Sequence, residues 1–272
     1  EDNDINEKLN MIFKKIDTHK NDNYIPKIIF QTYHKKDKIP EKVSDNFKKY
    51  AKDYKRYVYD DEDGKKFMYE NYGKYFVDRF NKMKMGPHKA DLLRYCLLYV
   101  YGGVYIDIKT ELLIDLDNII KERNNKLYTV LVFTNLNYVT NRLNFIYQGF
   151  IAVPPKNFLI KKIIYRYMQV NPNFINMNIL KPLKIEQSNN YILNRPNYLT
   201  FCEQFYKLLS DYLEEKYLKA DIYTKNNISI ELFKEYNYCK ESISKDKYGF
   251  CIQIKNKEGE IIMNGRYHDF PW

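Results

Sequence analysis

Within HKADLLRYCLLYVYGGVYIDIKT, residues 88–110, a few side chains stand at spacings that suit the binding of a polar ligand. Asp91 and Arg94 are three residues apart, so on a helix they share one face as an acid–guanidinium pair. Asp107 closes a short β-branched and aromatic run, which puts a carboxylate at the carboxyl end of a strand. Ligands of open α/β sheets bind at such ends. Lys109 follows two positions later, and an ammonium is a compact cation suited to phosphate oxygens. These groups can hold hydroxyls and anionic oxygens. By spacing alone they describe equally well a surface ion pair and a strand-end turn residue.

The elements that must position them can be read from the same stretch. Pro87 suits the first turn of a helix running to about Val100, on which Leu92, Leu93, Leu97 and Leu98 can face a sheet. Gly102 and Gly103 allow a sharp turn that aims the strand VYIDI back along that helix. Upstream, Ile5, Leu9, Ile12 and Phe13 recur at helical spacing over 5–17, and Pro26 precedes the β-rich run KIIFQTY. Residues 41–53 read as helix, 55–59 as strand, and 61–82 as helix with a break near Gly73. Downstream, 127–133 and 145–153 read as strands, with Pro154 and Pro155 stopping the second. Helices are expected over 157–169 and near 198–217, and a strand pair near 248–263 turns at Lys257–Gly259. Strands alternating with helices predict an α/β layered sheet, with an N-terminal helical arm over 1–24 and one domain over 25–272.

With 272 residues, 44% of them hydrophobic, the chain has ample material for a packed core, and its 9 Gly and 9 Pro exclude fibrous and disordered classes. Lys and Arg number 45 against 35 Asp and Glu, a formal charge of +10. That balance steers anionic partners, yet the lysines are scattered, as on a solvated surface. No RNP, zinc-finger or helix-turn-helix pattern is present, so nucleic acid is not an expected partner. Cys96, Cys202, Cys239 and Cys251 form no CxxC pair and are read as reduced thiols. No apolar run reaches the roughly 18 residues that span a bilayer. The chain starts at Glu1, which is compatible with a cytoplasmic protein and with a trimmed, membrane-anchored catalytic domain.

The 88–110 unit resembles the core motif of glycosyltransferase family 32, which includes the outer-chain α-1,6-mannosyltransferases. It is similar also to the matching helix and strand of the bacterial large-toxin glucosyltransferases. Asp91, Arg94, Tyr95, Gly102, Gly103, Val104, Tyr105 and Asp107 all stand in the family's pattern. Four further stretches follow in the family's order. IPKIIFQTYHKKDKIP at 25–40 is similar to its opening strand, with Tyr33 where Trp is common. FIAVPPKNFLIKKII at 150–164 resembles its later strand-to-helix segment, RPNYLT at 195–200 a degraded Gly-Pro-x-x-Leu-Thr, and RYHDFPW at 266–272 its closing segment.

The resemblance implies a GT-A-type nucleotide-sugar-binding sheet flanked by helices, with helical additions. It implies transfer of a sugar from a UDP- or GDP-sugar to a hydroxyl of a glycan, glycoprotein or glycolipid, with retention of configuration. Carried onto this chain, Tyr33 stacks on the base with Gln31 near it. Asp91 and Arg94 bind donor-sugar hydroxyls and phosphate, Asp107 touches ribose, sugar or metal, and His268 and Trp272 close over the diphosphate. Gln148, on a strand facing the sugar position, is a candidate polar contact. The family motif has a second aspartate, which holds Mn²⁺ or Mg²⁺. Here Lys109 stands in its place, and an ammonium cannot ligate a cation. Three readings follow: Lys109 itself meets the diphosphate, a metal binds through Asp107 and His268, or the chain is a catalytically impaired sugar-nucleotide or glycan-binding module.

Overall fold

The computed structural model describes residues 2–18, 22–132, 145–171, 200–237 and 252–267. One mixed sheet organises them. Strand β1 (Ile28–Thr32) lies parallel to β2 (Lys55–Tyr59) on one side and to β3 (Gly103–Ile106) on the other. Next to β3 runs antiparallel β6 (Ile146–Val153), then β5 (Lys126–Leu131) and, parallel to β5, β8 (Ile228–Asn237). The sheet continues through β9 (Ile252–Lys255) and β10 (Ile261–Asn264) to the two-residue β4 (Glu111–Leu112), while β7 (Ile222–Lys225) pairs with the first half of β8. Chain just past β3 therefore returns to the far end of the sheet.

Helices cover both faces. Helix α5 (Gly86–Tyr101) lies on one face with α1 (Asp2–Ile16), α3 (Asp61–Tyr72), α4 (Lys74–Lys82), α7 (Phe158–Gln169) and α8 (Thr200–Leu213). Helix α2 (Glu41–Tyr50) and the single turn α6 (Leu116–Ile119) sit on the other. The expected alternation of strand and helix is found, and the architecture is consistent with a GT-A-like sheet flanked by helices. Helix α1 is docked against this layer: Leu9 and Phe13 are fully buried, and the Phe13 ring meets Tyr72, Phe76, Tyr99 and Tyr165. Among the described residues no helix is long and apolar enough to cross a membrane.

The local chemistry explains where the elements end. Asp60 caps α3 through a reciprocal box with Asp63, and Gly73 stops it before α4, at the expected break. Asn157 caps α7 by accepting from the Leu159 and Ile160 amides. Gly102 ends α5 at φ +64°, and a β-carbon there would lie 2.5 Å from the Pro155 ring. Gly103, at φ +99°, would drive one to 2.7 Å from the Ile28 carbonyl oxygen. The two glycines thus let β3 start directly beneath the helix that precedes it, packed against β1.

Four elements were absent from the sequence reading: the short β4, α6 and β7, and the ten-residue β8. For β7 and β8 the signal was present. Asn226 and Asn227 both take positive φ, 50° and 61°, in a two-residue hairpin turn that favours asparagine. Ile228, Ile230 and Leu232 then alternate with polar residues. The expected strand pair near 248–263 is β9 and β10, with 248–251 outside the described residues. Cys96 and Cys202 are free thiols; Cys239 and Cys251 lie outside the described residues.

Candidate sugar-nucleotide site

Helix α5 presents Asp91 and Arg94 inward rather than to solvent. They are 5% and 6% exposed, with Arg94 Nη1 3.4 Å from Asp91 Oδ1. The reading of a surface ion pair is thereby excluded. Burying a guanidinium requires partners for its fork. Nη1 donates to the Gln148 carbonyl oxygen at 2.7 Å, and Nη2 lies 3.4 Å from the Tyr105 hydroxyl and 3.5 Å from Asp107 Oδ1. The guanidinium also stacks 4.3 Å above the Tyr105 ring. Tyr105, on β3, is held in turn by a 2.9 Å hydrogen bond with the Thr32 hydroxyl on β1.

Asp107 emerges just after β3, its amide donating to the Gly149 carbonyl and its carbonyl accepting from the Thr110 amide. Its second oxygen, Oδ2, stands 4.0 Å from Lys109 Nζ. Asp107, Lys109 and Arg94 line a cavity of about 340 Å³ together with Tyr33, His34, Tyr59, Asp60, Asp61 and Lys89. The N-terminal turn of α5, Gly86 and Pro87, forms part of the same wall, so the positive end of that helix and the side chains of Lys89, Arg94 and Lys109 border one volume.

Electrostatics separates the two acids of α5 and β3. Burial pushes the Asp91 carboxyl up to about 7, against the pull of Arg94 and with the help of Asp107. Burial acts to lower Arg94, but the Tyr105 ring, Asp91 and Asp107 outweigh it, so the guanidinium stays firmly charged. Among the described residues, three buried polar atoms of this cluster have no hydrogen-bond partner: Arg94 Nε, Gln148 Nε2 and the Tyr95 hydroxyl. Orphaned polar atoms are rare in folded proteins, and of these three residues Arg94 lines the cavity.

The other predicted residues fall as follows. Tyr33 lines the cavity beside His34, with ring centroids 4.8 Å apart. Gln148 is buried behind the wall as an acceptor for Arg94. Gln31 is fully buried; its Oε1 accepts from Arg56 Nε at 2.5 Å and its Nε2 reaches the Asp107 carbonyl at 3.5 Å. His268 and Trp272 lie outside the described residues, as does RPNYLT except for Thr200. Sequence reasoning missed Asp60, Asp61 and Lys89 as cavity walls, where Lys89 Nζ pairs with Asp61 at 2.6 Å.

The same geometry tests the metal. Both Asp107 oxygens are turned towards cations, Oδ1 to Arg94 and Oδ2 to Lys109. Among the described residues no group of three or more His, Cys, Asp and Glu could hold a metal ion. A divalent cation at Asp107 would meet two positive side chains, so these residues do not fit one.

Comparison with known proteins bears on the same region. Residues 21–126 match the family described as glycosyltransferase sugar-binding region containing DXD motif. Over 87 residues, 31% of this chain, the sequence is 42% identical to mannosyl phosphorylinositol ceramide synthase SUR1 of Saccharomyces cerevisiae, covering 22% of that protein. It is 36% identical over 87 residues to inositol phosphoceramide mannosyltransferase 3 of Schizosaccharomyces pombe, covering 24% of it. The chain thus spans about a quarter of the length of the curated relatives it matches.

Proposed function

Because residues 21–126 match the glycosyltransferase sugar-binding family and the chain is family 32-like, we propose that it transfers a sugar from a nucleoside-diphosphate sugar to an acceptor hydroxyl. The observation that supports this most is the linked Asp91–Arg94–Asp107 set, whose Arg94 and Asp107 line one cavity with Tyr33 and Lys109. A nucleotide base stacks on Tyr33 in this reading, and the diphosphate lies towards Arg94, Lys109 and the first turn of α5. The donor is a UDP- or GDP-sugar.

The chemistry follows from charge. As the glycosidic bond breaks, the leaving diphosphate gains negative charge, and preorganised cations stabilise it most where water is excluded. Arg94 is fixed by Gln148, Tyr105 and both acids, so it does not reorganise as that charge develops. Lys109 supplies the second positive charge, in the place where the family motif has an acid. Asp91, raised by burial to about 7, can donate a hydrogen bond to a sugar hydroxyl below that pH, while Asp107 accepts one. Transfer with retention of configuration, and a glycolipid hydroxyl as acceptor, complete the proposal. The acceptor is suggested by relatives whose names say that they act on inositol phosphoceramide.

A thermal-shift screen of UDP- and GDP-sugars, each with and without Mn²⁺, tests donor class and metal need together. Release of free sugar or transfer to an added acceptor supports the enzyme. Tight nucleotide binding with neither release nor transfer supports the impaired binding module instead.

A further inference from the structure

Three consecutive residues of β6, Tyr147, Gln148 and Gly149, meet the site in three different ways. Gln148 faces α5 and accepts from Arg94 through its carbonyl. Gly149 gives its carbonyl to the Asp107 amide at 2.8 Å. Side chains alternate along a strand, so Tyr147 and Gly149 belong to the opposite face, where Tyr147 packs in the layer of α2 and α6. A β-carbon on Gly149 would lie 2.2 Å from both the Tyr147 Cζ and its hydroxyl oxygen. The phenol ring therefore lies along its own strand, across the bare glycine. That carries its hydroxyl to the level of Asp107, where it meets Thr110 Oγ1 at 3.1 Å and the Gly265 carbonyl oxygen at 3.4 Å.

Residues 107–110 make a tight turn: the Thr110 amide donates to the Asp107 carbonyl at 2.9 Å, and Ile108 and Lys109 stand at its corners. Lys109 lines the cavity from this corner, its side chain 36% exposed, whereas Thr110 is fully buried. The Lys109 carbonyl accepts from the Tyr267 amide at 2.9 Å, so the turn and Tyr147 are both tied to the chain that follows β10. A phenol has a single hydrogen to donate. When it goes to Gly265, the Thr110 hydroxyl must donate to Tyr147, and both hydroxyls are then fixed in direction.

We propose that Tyr147 is a positioning residue for Lys109: it holds the 107–110 turn through Thr110, so that the ammonium stands at the cavity wall before an anionic diphosphate meets it. A lysine has a long, flexible stem, and a stem rooted in a fixed turn has less freedom to lose on binding. The purpose of this clamp rests on the reading of Lys109 as the diphosphate cation. Its existence rests on the hydrogen bonds and on the bare face of Gly149.

The test uses Tyr147→Phe, Thr110→Val and Lys109→Met in the full chain, singly, with Tyr147→Phe also combined with each of the others. Calorimetric titration with GDP and with UDP, free of divalent cations, reads positioning. Tyr147→Phe should weaken the better-bound diphosphate about 5-fold, and Thr110→Val added to it should weaken it no further, because both act through one bond. In the Lys109→Met background, Tyr147→Phe should change nothing. Hydrogen exchange of the ligand-free chain reads the clamp itself. Amides over 105–112 should exchange about 5-fold faster in Tyr147→Phe, while those of α3 keep the parent's rate. Additive losses in the Tyr147–Thr110 pair, an equal loss in the Lys109→Met background, or unchanged exchange over 105–112 overturns the proposal. Should Lys109→Met bind both diphosphates as tightly as the parent, the diphosphate reading falls, and hydrogen exchange alone decides the clamp.

Discussion

Arg94 Nη2 stands 3.5 Å from Asp107 Oδ1, and this link joins the face of α5 to the carboxyl end of β3. Arg94 is the hub, since Asp91, Gln148 and Tyr105 meet the same guanidinium. Arg94→Lys keeps the charge but loses the fork that serves these partners. Transfer should fall by at least about 100-fold, as when a preorganised charge-stabilising donor is removed. Arg94→Met should also destabilise the fold by roughly 3 kcal/mol, because the buried Asp91 loses its cation and Asp107 keeps only Lys109. Initial rates and chemical denaturation check the two effects separately.

Lys109 decides the metal question by substitution. Transfer by the parent chain should persist in EDTA, since its charge is carried by side chains. Lys109→Asp restores a second acid two residues after Asp107 and should make activity depend on added Mn²⁺. If the parent is instead silenced by EDTA and revived by Mn²⁺, Lys109 is not the diphosphate cation.

Two raised carboxyls set a pH dependence. Asp91 and Glu235 titrate at about 7 in the folded chain, and burial is the leading cause for both. Their unfolded values lie near 4, so between about pH 4 and pH 7 the native state holds protons that the unfolded state has lost. These groups therefore stabilise the ligand-free fold at the acidic end of that window and lose the contribution as pH rises through about 7. Tm should rise between about pH 8 and pH 5, and Glu235→Gln should shrink that rise by roughly 5 °C. Identical profiles for parent and variant would show that Glu235 is not protonated preferentially in the folded chain.

Tyr33 tests base stacking. Tyr33→Ala should weaken nucleoside-diphosphate affinity by about 10-fold, and Tyr33→Trp should preserve it, since both rings offer a π-face. An unchanged affinity in the alanine variant would move the base elsewhere in the cavity.

Gly102 tests the hinge between α5 and β3. Its φ of +64° and the 2.5 Å approach to Pro155 leave no room for a methyl group. Gly102→Ala should cost at least about 2 kcal/mol, through backbone strain and displacement of Pro155. Loss of nucleotide affinity should accompany it, because Asp107 would no longer face Arg94.

The sequence alone determined the helix face that pairs Asp91 with Arg94, the glycine turn after it, and the strand that ends in Asp107. These rest on helical spacing, on the conformational freedom of glycine and on β-rich runs, all properties of neighbouring residues. Whether Asp91 and Arg94 faced water or protein was open, because spacing places two side chains on one face without saying what covers it. Only the tertiary structure turned that face to β3 and β6, giving Arg94 the Gln148 carbonyl and the Tyr105 ring. Only the order of strands in the sheet brought Glu235 onto the face of Leu112, since β8, β9 and β10 return the chain to β4. Residues so far apart in sequence meet through packing and strand pairing, which no local pattern encodes.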